Sequence, residues 1–490
     1  MTLIVPIPCI QIYICVMKYL LIASCLLLSG VSRATTWLVG PTRQYTVPSA
    51  VSSLVASGDT INIDPGLYTG DVTKWFASNL VIRCLGPGYV HLEANGNYAE
   101  GKAIWVIKGA NCIVEGIEFS GCKVPDHNGA GIRQEGQHLT LRNCFFHHNE
   151  MGILTANDGV SDYIFESCEF AFNGYGDGYS HNIYVGAVNS LTMRYCYSHD
   201  AHVGHLVKSR ARFNYLYYNR LTGENGDGSY EVDLPNGGQA FLIGNMIEQG
   251  VNSQNTGIIS FAAENQNHPE QEIILAHNTI VNNRTSGRFV QFSNGIDLVK
   301  MVNNLFVGGG TLLQGTATAV DTTHNQRIVQ IADAQLVDPA GYNYTPTPNA
   351  PCINAGIQPG EYAGIPLTAT SAYLHPVGHT ARWYTGSAPD VGAYEFLISP
   401  YRSIPDPGST RVQIFPNPAV KGMPVLVQFS EPMLQPAPMT IWDLQGRLIS
   451  QNNLEKGQTT VEIPTGMLSP GLYRIQISSL NQQSWIMTVL

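Results

Sequence analysis

Between residues 143 and 306 the chain repeats a four-residue phrase in which a polar or small pair precedes a mostly apolar pair. The copies are Asn143-Cys144-Phe145-Phe146, Ser167-Cys168-Glu169-Phe170, Tyr195-Cys196-Tyr197-Ser198, Tyr218-Asn219-Arg220-Leu221, Gly244-Asn245-Met246-Ile247, His277-Asn278-Thr279-Ile280 and Asn303-Asn304-Leu305-Phe306. Their second positions, from Cys144 to Asn304, advance by 24, 28, 23, 26, 33 and 26 residues. A period of this size predicts stacked coils. The runs between copies, such as Asn182-Ile183-Tyr184-Val185 and Phe289-Val290-Gln291-Phe292, are short and β-rich. None offers ten residues of helical periodicity, so each coil is predicted to be strands and turns.

Identical Asn side chains one coil apart, at the ~4.8 Å strand spacing, can each donate to the next amide and to turn carbonyls, which satisfies groups that would be costly if buried unpaired. Cysteine, small and tolerant of burial, suits the same inward slot in the earlier coils. This pattern resembles the right-handed parallel β-helix of the pectate-lyase-like superfamily, whose coils often carry an Asn ladder at a tight turn. The resemblance implies an all-β solenoid.

Residues 49–57 place Val51, Leu54 and Val55 on one face of a short predicted helix, ended by Gly58-Asp59, which would cap the open end of the stack. Coils continue through 79–92 and 103–120 to about Gly310. Asp338-Pro339, Pro351 to Gly356 and Pro389 to Glu395 resemble the closing sequence of secreted β-helix domains, which puts the domain end near Phe396. Residues 397–411 hold Pro400, Pro405, Pro407 and Gly408 without apolar periodicity and read as a linker. From 412 to 490, alternating runs such as Val425-Leu426-Val427, Thr460 to Ile463 and Gly471 to Ile475 predict a small β-sandwich. Phe415-Pro416-Asn417-Pro418, Asp443-Leu444-Gln445-Gly446 and Pro470-Gly471-Leu472-Tyr473 in this tail resemble the C-terminal sorting domain of the type IX secretion system. That resemblance implies recognition by the type IX machinery and export across the outer membrane.

At the other end, Lys18, the apolar run from Tyr19 to Leu28 and Ser32-Arg33-Ala34 read as a secretory signal peptide over 1–34, with Met17 a possible start. Ile22-Ala23-Ser24-Cys25 offers a lipoprotein reading of the same segment. The β-helix domain is therefore expected over 35–396. Charged residues make up only 13% of the 490, and the formal net charge is −10, so no basic footprint for nucleic acid is present. Beyond the leader lie Cys84, Cys112, Cys122, Cys144, Cys168, Cys196 and Cys352, an odd number that cannot all pair. The three in the repeat column are read as packing residues.

In a parallel β-helix, outward side chains of consecutive coils form columns, so a site should appear as a column. Taking Ile183, Val185, Val207, Ser209, Val232 and Leu234 as inward leaves Asn182, Tyr184, Leu206, Lys208, Arg210, Glu231 and Asp233 outside. His181 and His205 stand at the entry of two of these strands, beside glycine-rich loops at 174–180 and 222–229. This is the densest ionisable cluster in a charge-poor chain. A uronate lyase needs a cation for the sugar carboxylate, a base for the C5 proton and an acid for the leaving oxygen. Lys208 is the candidate base, with neighbouring Arg210 disfavouring its ammonium form; Arg210 binds carboxylate; and Tyr184 or His205 returns a proton. His181 and Asn182 are candidate substrate contacts.

Val207-Lys208-Ser209 resembles the Lys-Ser strand of alginate-lyase-like β-helix enzymes, which pair that Lys with an Arg on the next coil; here the next coil carries Glu231 and Asp233. These two carboxylates also admit glycoside hydrolysis. The same charges admit a salt-bridge ladder on a non-catalytic, glycan-binding or adhesive surface protein. Asp126, Asp177 and Asp227 each precede a strand and could stack as calcium ligands, although Asp177-Gly178 and Asp227-Gly228 also read as turns. His147 and His148 read as lining a solvated turn, and no zinc spacing is evident.

Overall fold

The computed structural model describes residues 34–384, 386–396 and, within 412–489, all but 416, 418, 420, 430, 431, 434, 444–446 and 478–483. The signal peptide expected over 1–34 lies, apart from Ala34, outside these residues, as does the linker expected over 397–411. The chain divides into two compact units, one ending at Phe396 and one beginning at Leu397.

Counted over the described residues, three parallel sheets of twelve, eleven and ten strands run the length of the first unit, each coil contributing one strand to each. One coil illustrates the path. Phe213–Tyr217 lies in the first sheet, Arg220–Thr222 in the second and Val232–Leu234 in the third, and Gly238–Ile243 returns to the first. The turn between first and second sheets bends at a left-handed residue, Asn143, Ser167, Tyr195, Tyr218, Gly244, His277 or Asn303, just before each inward anchor. The two positions of the repeated pair have separate tasks. The first member takes positive φ and the second turns inward.

The anchors form the expected ladder. Asn245 Oδ1 accepts from the backbone N and the Nδ2 of Asn219, both at 3.0 Å, and Asn278 Oδ1 does the same for Asn245 at 2.9 Å. The column runs one coil further than the repeated phrase, to Asn325, which accepts from Asn304. Cys144, Cys168 and Cys196 continue it on the other side, each thiol donating to nearby carbonyls, and all seven described cysteines are free. Inside, Phe119, Phe146 and Phe170 stack with centroids 4.9 Å apart, the coil spacing itself.

The expected capping helix over 49–57 is present only as a 3-10 turn at Pro48–Ala50 followed by turns to Leu54. Nine residues are too few for a stable helix in water, and packing decides instead; Val51 alone is fully buried and closes the stack. At the opposite end, residues 331–396 fold back over the outside. Leu336, Tyr344, Cys352 and Val391 pack on Met246, Val281, Leu305 and Val307 of the second sheet, and Leu367 and Ala369 cover Phe241 and Ile274 of the first. Gly392, at φ 109°, lies where a Cβ would sit 2.7 Å from Thr279 Oγ1, so this fold-back needs glycine there.

The second unit is a β-sandwich. Val412–Phe415, Val425–Phe429 and Thr460–Ile463 form one antiparallel sheet and Ala437–Asp443, Leu448–Leu454, Gly471–Ile477 and Ser484–Val489 the other. Val425, Val427, Met439, Ile441, Ile475 and Met487 fill the space between them.

Candidate active site

The third sheet follows the long loops, and its register builds the candidate site. Leu154, Tyr184, Lys208, Asp233, Ser260, Gln291 and Gln314 are successive Cα partners and form one outward column. Lys208 Nζ lies 3.2 Å from Asp233 Oδ2 and 3.1 Å from Glu264 Oε1. Arg210, two residues along the chain from Lys208, donates from Nη2 to Glu264 Oε2 at 2.5 Å, from Nη1 to Asn236 Oδ1 at 2.6 Å and from Nε to Tyr184 Oη at 3.0 Å. Both cations also lie within 6 Å of the Tyr184 ring centroid, at 5.9 and 5.8 Å.

His181 and His205 stack at 4.5 Å with nearly parallel rings at the entry of this face. Gly204 permits the stack, since a Cβ there would fall 1.8 Å from the Ser180 carbonyl oxygen. Each ring's Nδ1 accepts a backbone N–H from the next coil, that of His205 at 3.0 Å and that of Tyr230 at 3.2 Å. The proton of each neutral ring therefore sits on Nε2, and His205 Nε2 faces Asp233 Oδ2 at 3.5 Å. Burial, reinforced by Lys208, pushes His205 down to about 3. Burial, with His205 and Lys208, holds His181 well below its ordinary value. Both rings are neutral donors at physiological pH. Burial raises the Asp233 carboxyl against the pull of Lys208. For Glu264 partial burial raises the carboxyl, but the hydrogen bonds from Arg210 and Lys208 outweigh it and hold the group low.

Three of the expected outward residues, Asn182, Leu206 and Glu231, are enclosed instead. The residue immediately before the inward Trp105, Val207, Ile259 and Val290 also turns inward, as Ile104, Leu206, Ile258 and Phe289 show by their place in the core. Asn182 and Glu231 fall at that step. Asn182 is fully buried and ends a second ladder that the sequence did not reveal, accepting from Asn173 Nδ2 at 3.0 Å, while Asn173 accepts from Asn149. It is a structural residue, not a substrate contact. Glu231 is likewise enclosed, beside Gln249 Nε2 at 3.4 Å, and burial drives its carboxyl well up. The paired carboxylates Glu231 and Asp233 considered for hydrolysis thus do not share a face. The acidic partner that Lys208 and Arg210 share is Glu264, which lies outside the repeat, between the third-sheet strand Gly257–Phe261 and the next first-sheet strand. No periodic signal marks it.

Asp126, Asp177 and Asp227, the candidate calcium ligands, are not among the described groups whose ligand atoms converge. Asp177 Oδ1 closes its own loop by accepting from Tyr179 N and Ser180 Oγ, and Asp227 Oδ1 accepts from Val203 N and faces His202 Nδ1. Among the described residues the groups able to converge on a metal are His91, Glu118 and His147, and His199, Asp200 and Glu224. His147 lies on the strand Phe145–His147 of the second sheet, not in the solvated turn expected for it.

Beyond Ser260 the same face continues into a shallow cavity of about 260 Å³ lined by Ala263, Arg288, Gln291, Phe292, Ser293 and Gln314.

Comparison with known proteins agrees with this architecture. Residues 82–232 match the family described as right handed beta helix region, and residues 413–489 match the secretion system C-terminal sorting domain. The chain is a right-handed parallel β-helix protein with a type IX secretion sorting tail. A crystal structure of pectate lyase Pel9A is similar at a TM-score of 0.52 and 14% identity, over 75% of this chain and 98% of that one, which shows a shared fold. Geobacillus virus E2 ORF18 is similar at a TM-score of 0.31 and 11% identity, over 90% and 82%. No curated protein matches the chain. The sorting tail marks this β-helix protein for export to the cell surface or medium through the type IX machinery. Among the described residues no helix is long and apolar enough to cross a membrane.

Proposed function

We propose that this β-helix protein acts on an acidic polysaccharide as a uronate lyase, using the outer face of the third sheet. The observation that carries the reading is the in-register line of Tyr184, Lys208 and Asp233 with Arg210 beside it, two cations and a phenol on the outer side of one sheet of a chain otherwise poor in charge, where Lys208 and Asp233 are themselves almost covered, at 11 and 5% side-chain exposure. In β-elimination the C5 proton leaves, the C4–O bond breaks with its electrons on the glycosidic oxygen, and a C4–C5 double bond forms. The sugar carboxylate must be held by cations so that charge at C5 can delocalise into it. Arg210 and Lys208 already share a carboxylate, that of Glu264, and this half-exposed side chain marks the position a uronate carboxylate would take.

With the uronate carboxylate held by Arg210, Lys208 first passes its ammonium proton to Asp233 Oδ2, 3.2 Å away and a carboxyl that burial raises, and the neutral amine then takes the C5 proton. Tyr184 Oη accepts from Arg210 Nε, which leaves its own proton free to pass to the leaving oxygen. His205 is excluded as the base in this tautomer because its Nδ1 lone pair is committed to Tyr230 N; its Nε2–H holds Asp233, which steadies Lys208. Tyr179, highly exposed on the 174–180 loop that leads into this sheet, would offer a ring for a sugar to stack on.

One observation favours a second reading. Lys208 and Arg210 are matched in charge by Asp233 and Glu264, so the cluster could act as a ladder on a glycan-binding or adhesive surface without turnover. Incubation with a panel of polyuronates separates the two. A lyase generates an unsaturated product that absorbs in the near ultraviolet. Glycan retention on a column without that absorbance, on every polymer tried, makes the protein a binder, and release of reducing ends without it makes the protein a hydrolase.

A further inference from the structure

On the second sheet, a wall distinct from the proposed lyase face, His91 and Glu118 are direct register partners on the strands Val90–Glu93 and Ile117–Ser120, and His147 ends the next strand, Phe145–His147. Glu118 Oε1 lies 2.9 Å from His147 Nε2 and 3.6 Å from His91 Nε2, and the three ligand atoms lie within 4.8 Å of one another. All three side chains are partly open to solvent, at 28, 20 and 16% for His91, Glu118 and His147. Ligand atoms about 2.0–2.2 Å from a zinc ion stand about 3.3 Å apart in a tetrahedron, so small rotations bring these atoms into place.

The outer contacts are those of a ligand set. His147 Nδ1 lies 2.8 Å from His148 Nδ1, so one ring must donate to the other. His147 Nε2 is the nitrogen turned to Glu118, and the 2.9 Å between this ring nitrogen and the carboxylate oxygen is a position that a proton or a metal ion fills. His91 Nε2 also touches Ser120 Oγ at 2.7 Å, a hydroxyl able to turn toward a bound water. A second group, His199, Asp200 and Glu224, differs in one respect. Its Glu224 is already held by Arg220, Tyr197 and Thr222, so a metal there would have to displace an ion pair.

We propose that His91, Glu118 and His147 form a divalent transition-metal site, of which Zn²⁺ is the natural occupant, clasping three successive coils with a coordination position left open to solvent. Two imidazoles and a carboxylate select Zn²⁺ and its borderline neighbours over Ca²⁺, which takes oxygen ligands.

The full secreted chain, purified without a polyhistidine tag and stripped with a chelator, is titrated with Zn²⁺ by calorimetry, with Co²⁺ as spectroscopic reporter. The expected result is one Zn²⁺ per chain at micromolar or tighter affinity, a raised melting temperature, visible Co²⁺ bands of nitrogen and oxygen ligation, and no displacement by a hundredfold excess of Ca²⁺. Glu118→Gln and His147→Ala should each weaken binding at least tenfold while melting as the wild type does in chelator, and His199→Ala should leave stoichiometry and affinity unchanged. Absence of saturable Zn²⁺ binding overturns the proposal. So does binding that survives both Glu118→Gln and His147→Ala, binding lost in His199→Ala, or equal competition by Ca²⁺.

Discussion

The Glu264 carboxylate bridges Lys208 and Arg210 from a loop, with 45% of its side chain exposed, so it can leave at small cost. If a uronate carboxylate must take its place, Glu264→Ala should lower KM about 3- to 10-fold, the equivalent of ~1 kcal/mol, with a smaller effect on kcat. Steady-state kinetics on the responsive polyuronate check this, and a raised KM would mean that Glu264 itself holds substrate. Enclosed carboxylates give a second residue-scale outcome. Burial raises Glu248 from 4.5 to about 7, so above the unfolded value the unfolded chain releases a proton that the folded one keeps. Stability from this group is complete below pH 4.5 and falls as pH rises through about 7, by on the order of 3 kcal/mol. His205 works in the opposite sense, its contribution present above its unfolded value near 6.5 and lost as pH falls toward 3. The wild-type profile therefore mixes both. Urea midpoints of the wild type and Glu248→Gln at pH 5 and pH 8 isolate the carboxylate, and the difference between the two proteins should shift in favour of the variant at pH 8.

At the scale of the element, the turn between first and second sheets is the most strongly specified part of the molecule. Removing the Asn245 amide leaves Asn219 N and Nδ2 without their acceptor and Leu216 O without its donor, all inside the stack. Asn245→Ala should cost ~2–4 kcal/mol in urea unfolding, and a loss below 0.5 kcal/mol would mean that the ladder is ornamental. This element was legible in the sequence because its two-residue turn forces the same pair of residue types on every coil. The third-sheet strands were less legible. Alternation correctly turned Tyr184, Lys208 and Asp233 to the outside, but it assumes that the period of two begins at the first residue of the strand. Where a loop enters, two consecutive residues face the core, as at Leu206-Val207 and Ile258-Ile259, and that corner carried Asn182 and Glu231 inside. Glu264 and the His91, Glu118 and His147 group were hidden for another reason. One lies in an irregular loop, and the other joins residues 27 and 29 positions apart whose alignment depends on the register of individual coils.

Across the whole molecule, the β-helix brings distant residues into columns on the outer faces of its sheets, and the sorting tail accounts for where the proposed activity would take place. A secreted or surface-held protein meets polymers too large to enter a cell, and an open sheet face running along coils suits an extended chain better than an enclosed pocket would. The central claim is that Lys208 performs chemistry on that face and does not merely brace it. The direct test is the rate of unsaturated product formed by wild type and Lys208→Ala on the polyuronate that responds, measured with the melting temperatures of both proteins. The account predicts a fall of at least a thousandfold with melting changed by no more than a few degrees. Turnover retained in Lys208→Ala while its melting temperature collapses would contradict it and leave the cluster as a salt-bridge ladder.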